Sequence, residues 1–322
     1  MNHIGLKPVH IFFIVFYLML GCSGLPAPSG SPISIGTVDS IAPRCLLREV
    51  PFFAQRDRQC GPAALAMALA FSGVSVSPDD ISPMVFTPSL EGSLQPDLIS
   101  AARRLGRLAY PITGMDALLL EISAGNPVIV LQNLGLRWIP VWHYALAVGY
   151  DLTGETVLLH SGAEPFKEVD LKIFQRTWRR GRSWGLLILP PERLPATAAL
   201  EPSIRAVIGL EKAGSLRQAS AGYRAVMDRW PESAAAHIGL ANCRYRLGRL
   251  SDAEAVLREA ACRFPREGSV FNNLAQILSE ENKTEEALEA ARKAVGCGGP
   301  LKRIYLETLE EIKRRMAATG KS

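Results

Sequence analysis

The hydrophobic and polar positions follow two different patterns along the chain. From Val50 to Pro191, helical spacing of apolar residues alternates with short apolar runs that are typical of strands. From Leu200 onward the helical spacing continues throughout. Between the two regions lies Pro190-Pro191-Glu192-Arg193-Leu194-Pro195, and neither a helix nor a central strand tolerates such a proline cluster. The pattern therefore predicts an α+β domain followed by an all-α domain.

Four elements stand out in the first domain. A run of strong helix formers follows Gly61-Pro62 and ends at Ser72-Gly73, and a second helix is predicted over residues 96–106. Strands are predicted over residues 128–132 and 143–150.

The second domain repeats at a fixed interval. Ala219, Ala253 and Ala287 are spaced by 34 residues, and so are Pro231 and Pro265. A 34-residue period with small residues at fixed positions resembles the tetratricopeptide repeat, in which small residues allow two helices to approach closely. A plain helical bundle is the alternative. The resemblance implies a concave groove that binds a protein partner. The predicted units are 200–233, 234–267 and 268–301, followed by a capping helix that ends near residue 317.

The N-terminal sequence is typical of a targeting segment. Ile11 to Leu20 is an unbroken apolar run of ten residues, which spans about 15 Å as a helix and is too short to cross a bilayer. Leu18-Met19-Leu20-Gly21-Cys22 resembles the lipobox of bacterial lipoproteins. The resemblance implies cleavage before Cys22, lipidation of its thiol and anchorage in the cell envelope. Ser23 in place of Asp implies the outer membrane, facing the periplasm. An ordinary secretory signal is the alternative.

These patterns divide the chain into five segments. Proline, serine and glycine are frequent between Leu25 and Pro43, which is typical of a tether. The predicted segments are a signal peptide over 1–21, a flexible tether over 22–47, an α+β domain over 48–191, a linker over 192–199 and the repeats with their cap over 200–317.

Composition adds mainly exclusions. The 322 residues are 48% apolar and 21% charged, which is inconsistent with general disorder. The net charge of +5 comes from interspersed basic and acidic residues, so nucleic acid is not predicted as a partner. Six cysteines cannot form a disulfide scaffold, although Cys243 and Cys262 could pair. We find no metal-binding, phosphate-binding or nucleotide-binding motif, and we therefore predict no cofactor and no metal.

A cysteine begins the first predicted helix, in Gln55-Arg56-Asp57-Arg58-Gln59-Cys60-Gly61-Pro62-Ala63. The unpaired N–H groups and the dipole at a helix N-terminus favour a thiolate, which predicts a lowered pKa for Cys60 and a nucleophilic sulfur. The Gln55 amide and the Cys60 backbone N–H could together form an oxyanion hole. The alternative is that Cys60 is a small buried apolar residue. Gly61 and Pro62 argue against it, because neither residue is suited to filling a core.

A nucleophilic cysteine needs a base, and His143 is the best candidate. On the strand 143–150, large residues such as Tyr144 and Leu146 share one face, and His143 lies on the other face with small residues. Such a face leaves room for another segment beside the imidazole. His237 lies within the repeats and is expected on their surface.

Gln-x4-Cys-Gly-Pro-Ala followed by His-Tyr-Ala-x-x-Val-Gly-Tyr-Asp resembles the bacteriocin-processing peptidase-like family of papain-like cysteine peptidases, some of which cleave leader peptides after Gly-Gly. The resemblance covers about residues 48–191, and it is greater for a group of lipoproteins that join this domain to tetratricopeptide repeats. It implies a papain-like fold with Cys60 as nucleophile, His143 as general base and acid, and Gln55 as oxyanion donor.

One position departs from the family. Where the family has an Asp that orients the histidine, this chain has Ser161 in Leu159-His160-Ser161. If the hairpin loop is 151–154, His160 shares the face of His143, whereas a one-residue change in the loop places Ser161 there. Serine offers no charge to stabilise imidazolium. The sequence thus predicts a membrane-anchored thiol peptidase that cleaves a peptide or protein. The alternative is a weakly active or inactive lipoprotein that serves as a scaffold for envelope assembly or secretion.

Overall fold

The computed structural model describes residues 40–56 and 58–319. The predicted signal peptide, the predicted lipidation site Cys22 and residues 22–39 of the predicted tether lie outside these residues. The chain divides after Trp230 into two compact units, and each is described by itself.

The first unit contains a seven-stranded antiparallel sheet and its helices. The strands are β1 (Arg44–Leu46), β4 (Leu108–Thr113), β5 (Val128–Asn133), β6 (Trp142–Asp151), β7 (Thr156–Ser161), β8 (Glu164–Asp170) and β9 (Trp184–Leu189), and a separate hairpin comprises β2 (Phe86–Thr87) and β3 (Gly92–Ser93). The helices are α1 (Cys60–Phe71), α2 (Pro78–Val85), α3 (Gln95–Arg104), α4 (Met115–Ser123) and α5 (Leu171–Arg180). The strand order is β4-β9-β5-β6-β7-β8, and β1 pairs with β6.

Helix α1 is the buried centre of this unit. Every residue from Gly61 to Leu69 is buried, and the helix packs on the sheet in one apolar core with Tyr144, Leu146 and Val148 of β6. A helix that is apolar on all sides is expected to be buried in this way. The predicted elements are confirmed: α1 ends at Phe71, α3 replaces the predicted helix 96–106 with a shift of one or two residues, and β5 and β6 are each slightly longer than predicted.

The last residues of the predicted tether belong to the sheet. Residues 44–46 form β1, the Leu47 N–H donates to Val148 O at 2.8 Å, and the Tyr150 hydroxyl donates to Ala42 O at 3.0 Å. The tether predicted over 22–47 is therefore too long at its C-terminal end. The partners lie about a hundred residues apart in the sequence, which is why the local proline-rich composition did not indicate this strand.

The segment predicted as a linker is fixed by a buried carboxylate. Glu121 of α4 is fully buried and accepts hydrogen bonds from the Thr197 backbone N–H at 2.7 Å and from the Thr197 hydroxyl at 2.5 Å. Asn126 donates a further bond to the same carboxylate at 2.6 Å. Because these donors satisfy a charge that would otherwise be costly to bury, residues 196–197 are held on the α+β fold.

The remaining chain is helical. Helices α6 (Leu200–Lys212) and α7 (Leu216–Arg229) lie in the first compact unit. The second unit contains α8 (Ala234–Arg246), α9 (Leu250–Arg263), α10 (Gly268–Glu280), α11 (Thr284–Cys297) and α12 (Lys302–Thr319). The repeated alanines Ala219, Ala253 and Ala287 are all fully buried, as expected where paired helices approach closely. No disulfide joins Cys243 to Cys262, so their suggested pairing is wrong. None of the described helices combines the length and apolar character needed to cross a membrane.

Candidate active site

Cys60 is the first residue of α1 and lines a cleft of about 1050 Å³. Gln59 precedes it as the N-cap, and the Ala63 N–H donates to Gln59 O at 3.0 Å, which starts the helical hydrogen bonding. The backbone N–H groups of Cys60 and Gly61 both act on the sulfur. The helix N-terminus thus presents its unpaired donors to the thiol, as the sequence predicted.

Gly61 allows the cleft to close around this position. A Cβ atom on Gly61 would lie 2.6 Å from both Cβ and Oγ of Ser93 in the β2–β3 hairpin. Real Cβ atoms do not approach other heavy atoms so closely. Glycine is therefore required here by the approach of the hairpin, which the sequence does not indicate because β2 and β3 are only two residues long.

The backbone of Tyr144 brings the predicted site residues together. Its N–H acts on the sulfur of Cys60, and its carbonyl oxygen accepts a hydrogen bond from Gln55 Nε2 at 3.1 Å. Tyr144 directly follows His143 on β6. The backbone of the residue that follows the histidine therefore contacts both the thiol and the glutamine amide.

Gln55 is held in place from its other side by the β7–β8 turn. The Gly162 N–H donates to Gln55 Oε1 at 3.0 Å, and the Gln55 backbone N–H donates to Gly162 O at 2.8 Å. These contacts define the orientation of the side-chain amide, because only its oxygen can accept from Gly162. The Nε2 atom has two hydrogens, and the bond to Tyr144 uses one of them. The second hydrogen is available to an oxyanion in the cleft.

Ser161 is the residue that contacts His143. The distance from His143 Nε2 to Ser161 Oγ is 2.8 Å. Asp151 pairs with Thr156, and a bulge between Ala147 and Gly149 shifts the register, so that Leu146 pairs with His160. The hairpin loop is therefore 152–155, one residue later than the 151–154 alternative. With Nε2 engaged by Ser161, Nδ1 is the ring nitrogen left for proton transfer.

His160 lies away from the cleft. It is fully buried, its Nε2 donates to Val50 O at 3.2 Å, and its Nδ1 accepts from the Phe166 N–H at 3.1 Å. The rings of Phe52 and Phe166 pack edge-on against it. This residue stabilises the fold and does not support His143.

Burial changes the proton affinities of the two central groups in opposite directions. It raises the pKa of the Cys60 thiol, although the N–H groups of Tyr144, Gly61 and Cys60 partly oppose this effect. Burial, together with the positive charge of Lys167, lowers the pKa of His143. No hydrogen bond joins Cys60 Sγ to the His143 ring within the described part of the chain. The predicted lowering of the Cys60 pKa is wrong for the resting state, because desolvation outweighs the helix N-terminus.

The described residues contain no cluster of side chains that could bind a metal ion. The cleft is lined by Gln55, Cys60 and His143. Further lining residues come from β3, from β6 and from the loop before β6, and they include Ser93, Val141 and Trp142. The arrangement can present a thiol, a neutral imidazole and two N–H donors to a carbonyl group. These are the groups that nucleophilic acyl transfer requires.

Comparison with known proteins agrees with this architecture. Residues 47–183 match the model of the Peptidase_C39 like family. Two tetratricopeptide-repeat models match residues 210–266 and 245–300. No curated protein matches the chain.

Several solved structures are similar to parts of the chain. A Bacillus anthracis protein described as a C39-like peptidase is 20% identical, with 45% of this chain and 97% of that chain covered and a TM-score of 0.39. The peptidase domain of Streptococcus ComA is 22% identical, with 44% and 98% covered and a TM-score of 0.38. The Yersinia enterocolitica type III secretion translocator chaperone SycD is 19% identical, with 38% and 98% covered and a TM-score of 0.35.

The two sets of family-model matches cover the α+β fold and the helical region in the order in which the chain presents them. This protein therefore carries a Peptidase_C39-like domain followed by tetratricopeptide repeats.

Proposed function

We propose that the protein is a thiol peptidase in which Cys60 attacks the carbonyl carbon of a peptide or protein substrate. The observation that carries this proposal is that the backbone of Tyr144, the residue directly after His143, contacts both the Cys60 sulfur and the Gln55 amide. A buried structural cysteine would not need a glutamine amide fixed beside it or a histidine on the neighbouring strand.

The first half of the reaction forms a thioester. As the bond from the Cys60 sulfur to the carbonyl carbon forms, the thiol proton passes to His143 Nδ1. The resulting oxyanion accepts hydrogen bonds from the Cys60 N–H and from the second hydrogen of Gln55 Nε2. The C–N bond then breaks, and His143 returns the proton to the leaving amine. Because the resting thiol and imidazole are both neutral, this proton transfer accompanies the attack.

The second half releases the acyl product. Water attacks the thioester carbonyl while His143 takes one of its protons, and the same two donors stabilise the new oxyanion. The C–S bond breaks, the sulfur is reprotonated by His143, and the carboxylic acid product leaves. Throughout, the His143 Nε2–H donates to Ser161 Oγ, which orients the ring without supplying a negative charge.

A peptide-library digestion tests the proposal. Cleavage by the full chain is measured by mass spectrometry and compared with Cys60→Ala and His143→Ala proteins. The exposed thiol Cys262 supplies the matched control, as Cys262→Ala. We expect cleavage by the wild type and by the control, and its loss in the two site variants. Equal cleavage by Cys60→Ala would refute the proposal.

A second function is supported by a specific observation, the Ser161 hydroxyl at the position where a charged partner for His143 would stand. With a neutral thiol and no carboxylate, the domain could serve as a peptide-binding shell in envelope assembly or secretion. Rescue of a deletion strain separates the two functions. The Cys60→Ala protein restores the phenotype if the scaffold function is correct and fails if catalysis is required.

We also propose that Cys22 is lipidated and holds the protein in the bacterial cell envelope, at the outer membrane and facing the periplasm, and that the repeats dock a protein partner. The lipobox resemblance at Leu18–Cys22 and the matches to repeat models support these proposals. Labelled fatty acid should enter the wild type and not Cys22→Ala. Incorporation into Cys22→Ala would exclude Cys22 as the lipidation site.

A further inference from the structure

The loop between β5 and β6 exposes an unusual number of large apolar side chains. It comprises residues 134–141, and Trp142 follows as the first residue of β6. Six large apolar residues in this stretch are each about half exposed or more: Leu134, Leu136, Trp138, Ile139, Val141 and Trp142. Trp138 is 76% exposed and Ile139 is 63% exposed. Contiguous exposed apolar surface of this kind is a sign of an interaction site.

The loop is held rigidly by the residue that precedes it. Asn133 is buried, and its Oδ1 accepts hydrogen bonds from the N–H groups of Gly135 and Val141, both at 2.9 Å. The Leu134 N–H donates to Val141 O at 2.9 Å, and Arg180 donates to Gly135 O at 2.5 Å. These bonds tie the two ends of the loop to each other and to Asn133, so ordering the loop ends costs little entropy on binding.

Most of these side chains do not belong to the catalytic cleft. Val141 and Trp142 line the cleft, whereas Leu134, Leu136, Trp138 and Ile139 do not. A subsite for a substrate side chain is concave and encloses its ligand. The four side chains outside the cleft are instead exposed on a loop, which suits a broad apolar phase better than a single peptide.

The charged residues within the loop and at the C-terminal end of α5 are all positive. Arg137 lies within the loop, and Arg179 and Arg182 flank Arg180, whose side chain donates to the loop backbone. All three are exposed, and they form no ion pair among the residues that the structure describes. The sequence contains no acidic residue from 128 to 150 or from 171 to 189. Such a surface complements anionic lipid headgroups, and tryptophan prefers the boundary between headgroups and acyl chains.

We propose that the 134–142 segment inserts its apolar side chains into the surface of an anionic lipid bilayer. The proposal does not depend on peptidase activity, and it goes beyond the lipid anchor at Cys22. The lipid anchor at Cys22 and the 134–142 segment can reach the same membrane. Arg44 pairs with the last residue of β6 and Trp142 is its first residue, so the two lie about 30 Å apart. The 22 residues from Cys22 to Arg44 can extend to about 75 Å. Because Trp142 also lines the cleft, insertion would place the cleft beside the membrane surface.

Vesicle partitioning of the full chain carrying Cys22→Ala tests the proposal without the acyl anchor. The probe is a vesicle of phosphatidylcholine and phosphatidylglycerol at a ratio of about 3:1. The test variant is Trp138→Ser with Ile139→Ser, and the matched control is Ile173→Ser with Leu306→Ser, two exposed apolar residues outside the loop. Residues 11–20 are also apolar, so the readout is the difference between these variants in one background.

We expect the partition coefficient of the test variant to fall by about tenfold or more, because it removes two large apolar side chains from the contact. The control should stay within about twofold of the parent. Pure phosphatidylcholine or high salt should weaken binding by the parent. Lipids brominated in the acyl chains should quench tryptophan emission of the parent, and the double variant Trp138→Phe with Trp142→Phe should lose most of that quenching while still binding.

Equal partitioning of the test and control variants would overturn the proposal, and so would the absence of acyl-chain quenching. Unchanged partitioning of the test variant with a raised KM for an apolar peptide would assign the loop to substrate binding instead. Cys60→Ala should partition like the parent, so a failure of the peptidase proposal leaves this readout intact.

Discussion

Replacing Ser161 by alanine removes the hydrogen bond that orients His143. In the resting state this bond joins neutral groups over 2.8 Å, and such bonds contribute about 0.5–1.5 kcal/mol. When His143 takes the thiol proton, the same bond becomes charge-assisted and contributes about 1.5–3 kcal/mol. The difference of about 1–2 kcal/mol acts only in the transition state. It corresponds to a loss of about 5- to 30-fold in rate.

The loss should fall on kcat, because Ser161 does not line the cleft and lies behind the histidine. The assay is steady-state kinetics on a peptide identified in the library digestion. Ser161→Thr is the matched control, since it retains the hydroxyl and suits a strand. Ser161→Asp adds a carboxylate, which should raise the pKa of His143 and move the acidic limb of the kcat/KM profile to higher pH.

A change of less than about twofold in kcat for Ser161→Ala would refute this reasoning, as would a loss expressed only in KM. The same holds if Ser161→Thr is as impaired as Ser161→Ala, because the hydroxyl would then have no role.

Three further predictions follow from the same geometry. Gln55→Ala should lower kcat by about 100-fold or more through loss of an oxyanion donor, measured on the same peptide; a change within about threefold would remove Gln55 from the mechanism. Gly61→Ala should destabilise the fold by about 1–3 kcal/mol in urea unfolding, and Ser93→Gly in the same chain should restore most of that loss if their close approach is the cause. Burial lowers the pKa of His160 in the folded chain. As the pH falls, the unfolded chain therefore takes up the His160 proton before the folded chain does. The free energy of unfolding should then decrease below about pH 6.5, by at most about 1.4 kcal/mol per pH unit. His160→Gln should flatten this dependence, leaving the part due to His143, and an unchanged slope would contradict the assignment.

The elements that carry the chemistry could be predicted because their signals are local. The Gly61-Pro62 start and the uninterrupted helix formers after it specify α1, and the alternation after His143 specifies β6. The 34-residue spacing of buried alanines likewise indicates the repeats directly in the sequence.

The partner of His143 could not be predicted, because it depends on the register of one hairpin. Each residue of shift exchanges the two faces of a strand, and the bulge between Ala147 and Gly149 adds such a shift within β6. Nothing in the local composition reveals that bulge. Ser161 and His160 were therefore equally plausible from the sequence, although they lie on opposite faces.

The state of the Cys60 thiol was predicted wrongly for a related reason. The helix N-terminus is a local feature and was recognised, and its N–H groups do lower the pKa of the thiol. The larger opposing effect is burial, which arises from chain segments that are distant in sequence, such as β3 and β6 around the cleft. Long-range pairing with β6 also explains why the local composition predicts a tether where β1 forms.

The central claim is that His143 controls the reactivity of the Cys60 sulfur. The most direct measurement is the rate of iodoacetamide alkylation at Cys60, followed by peptide mass spectrometry from pH 5 to 10 in the wild type and in His143→Ala. We expect the wild type to show a reactive shoulder that begins below pH 6.5, where the lowered pKa of His143 lies, followed by a main rise above pH 9. His143→Ala should keep only the main rise. Superimposable profiles would show that the imidazole does not act on the thiol, and the account of this site as a peptidase would be wrong.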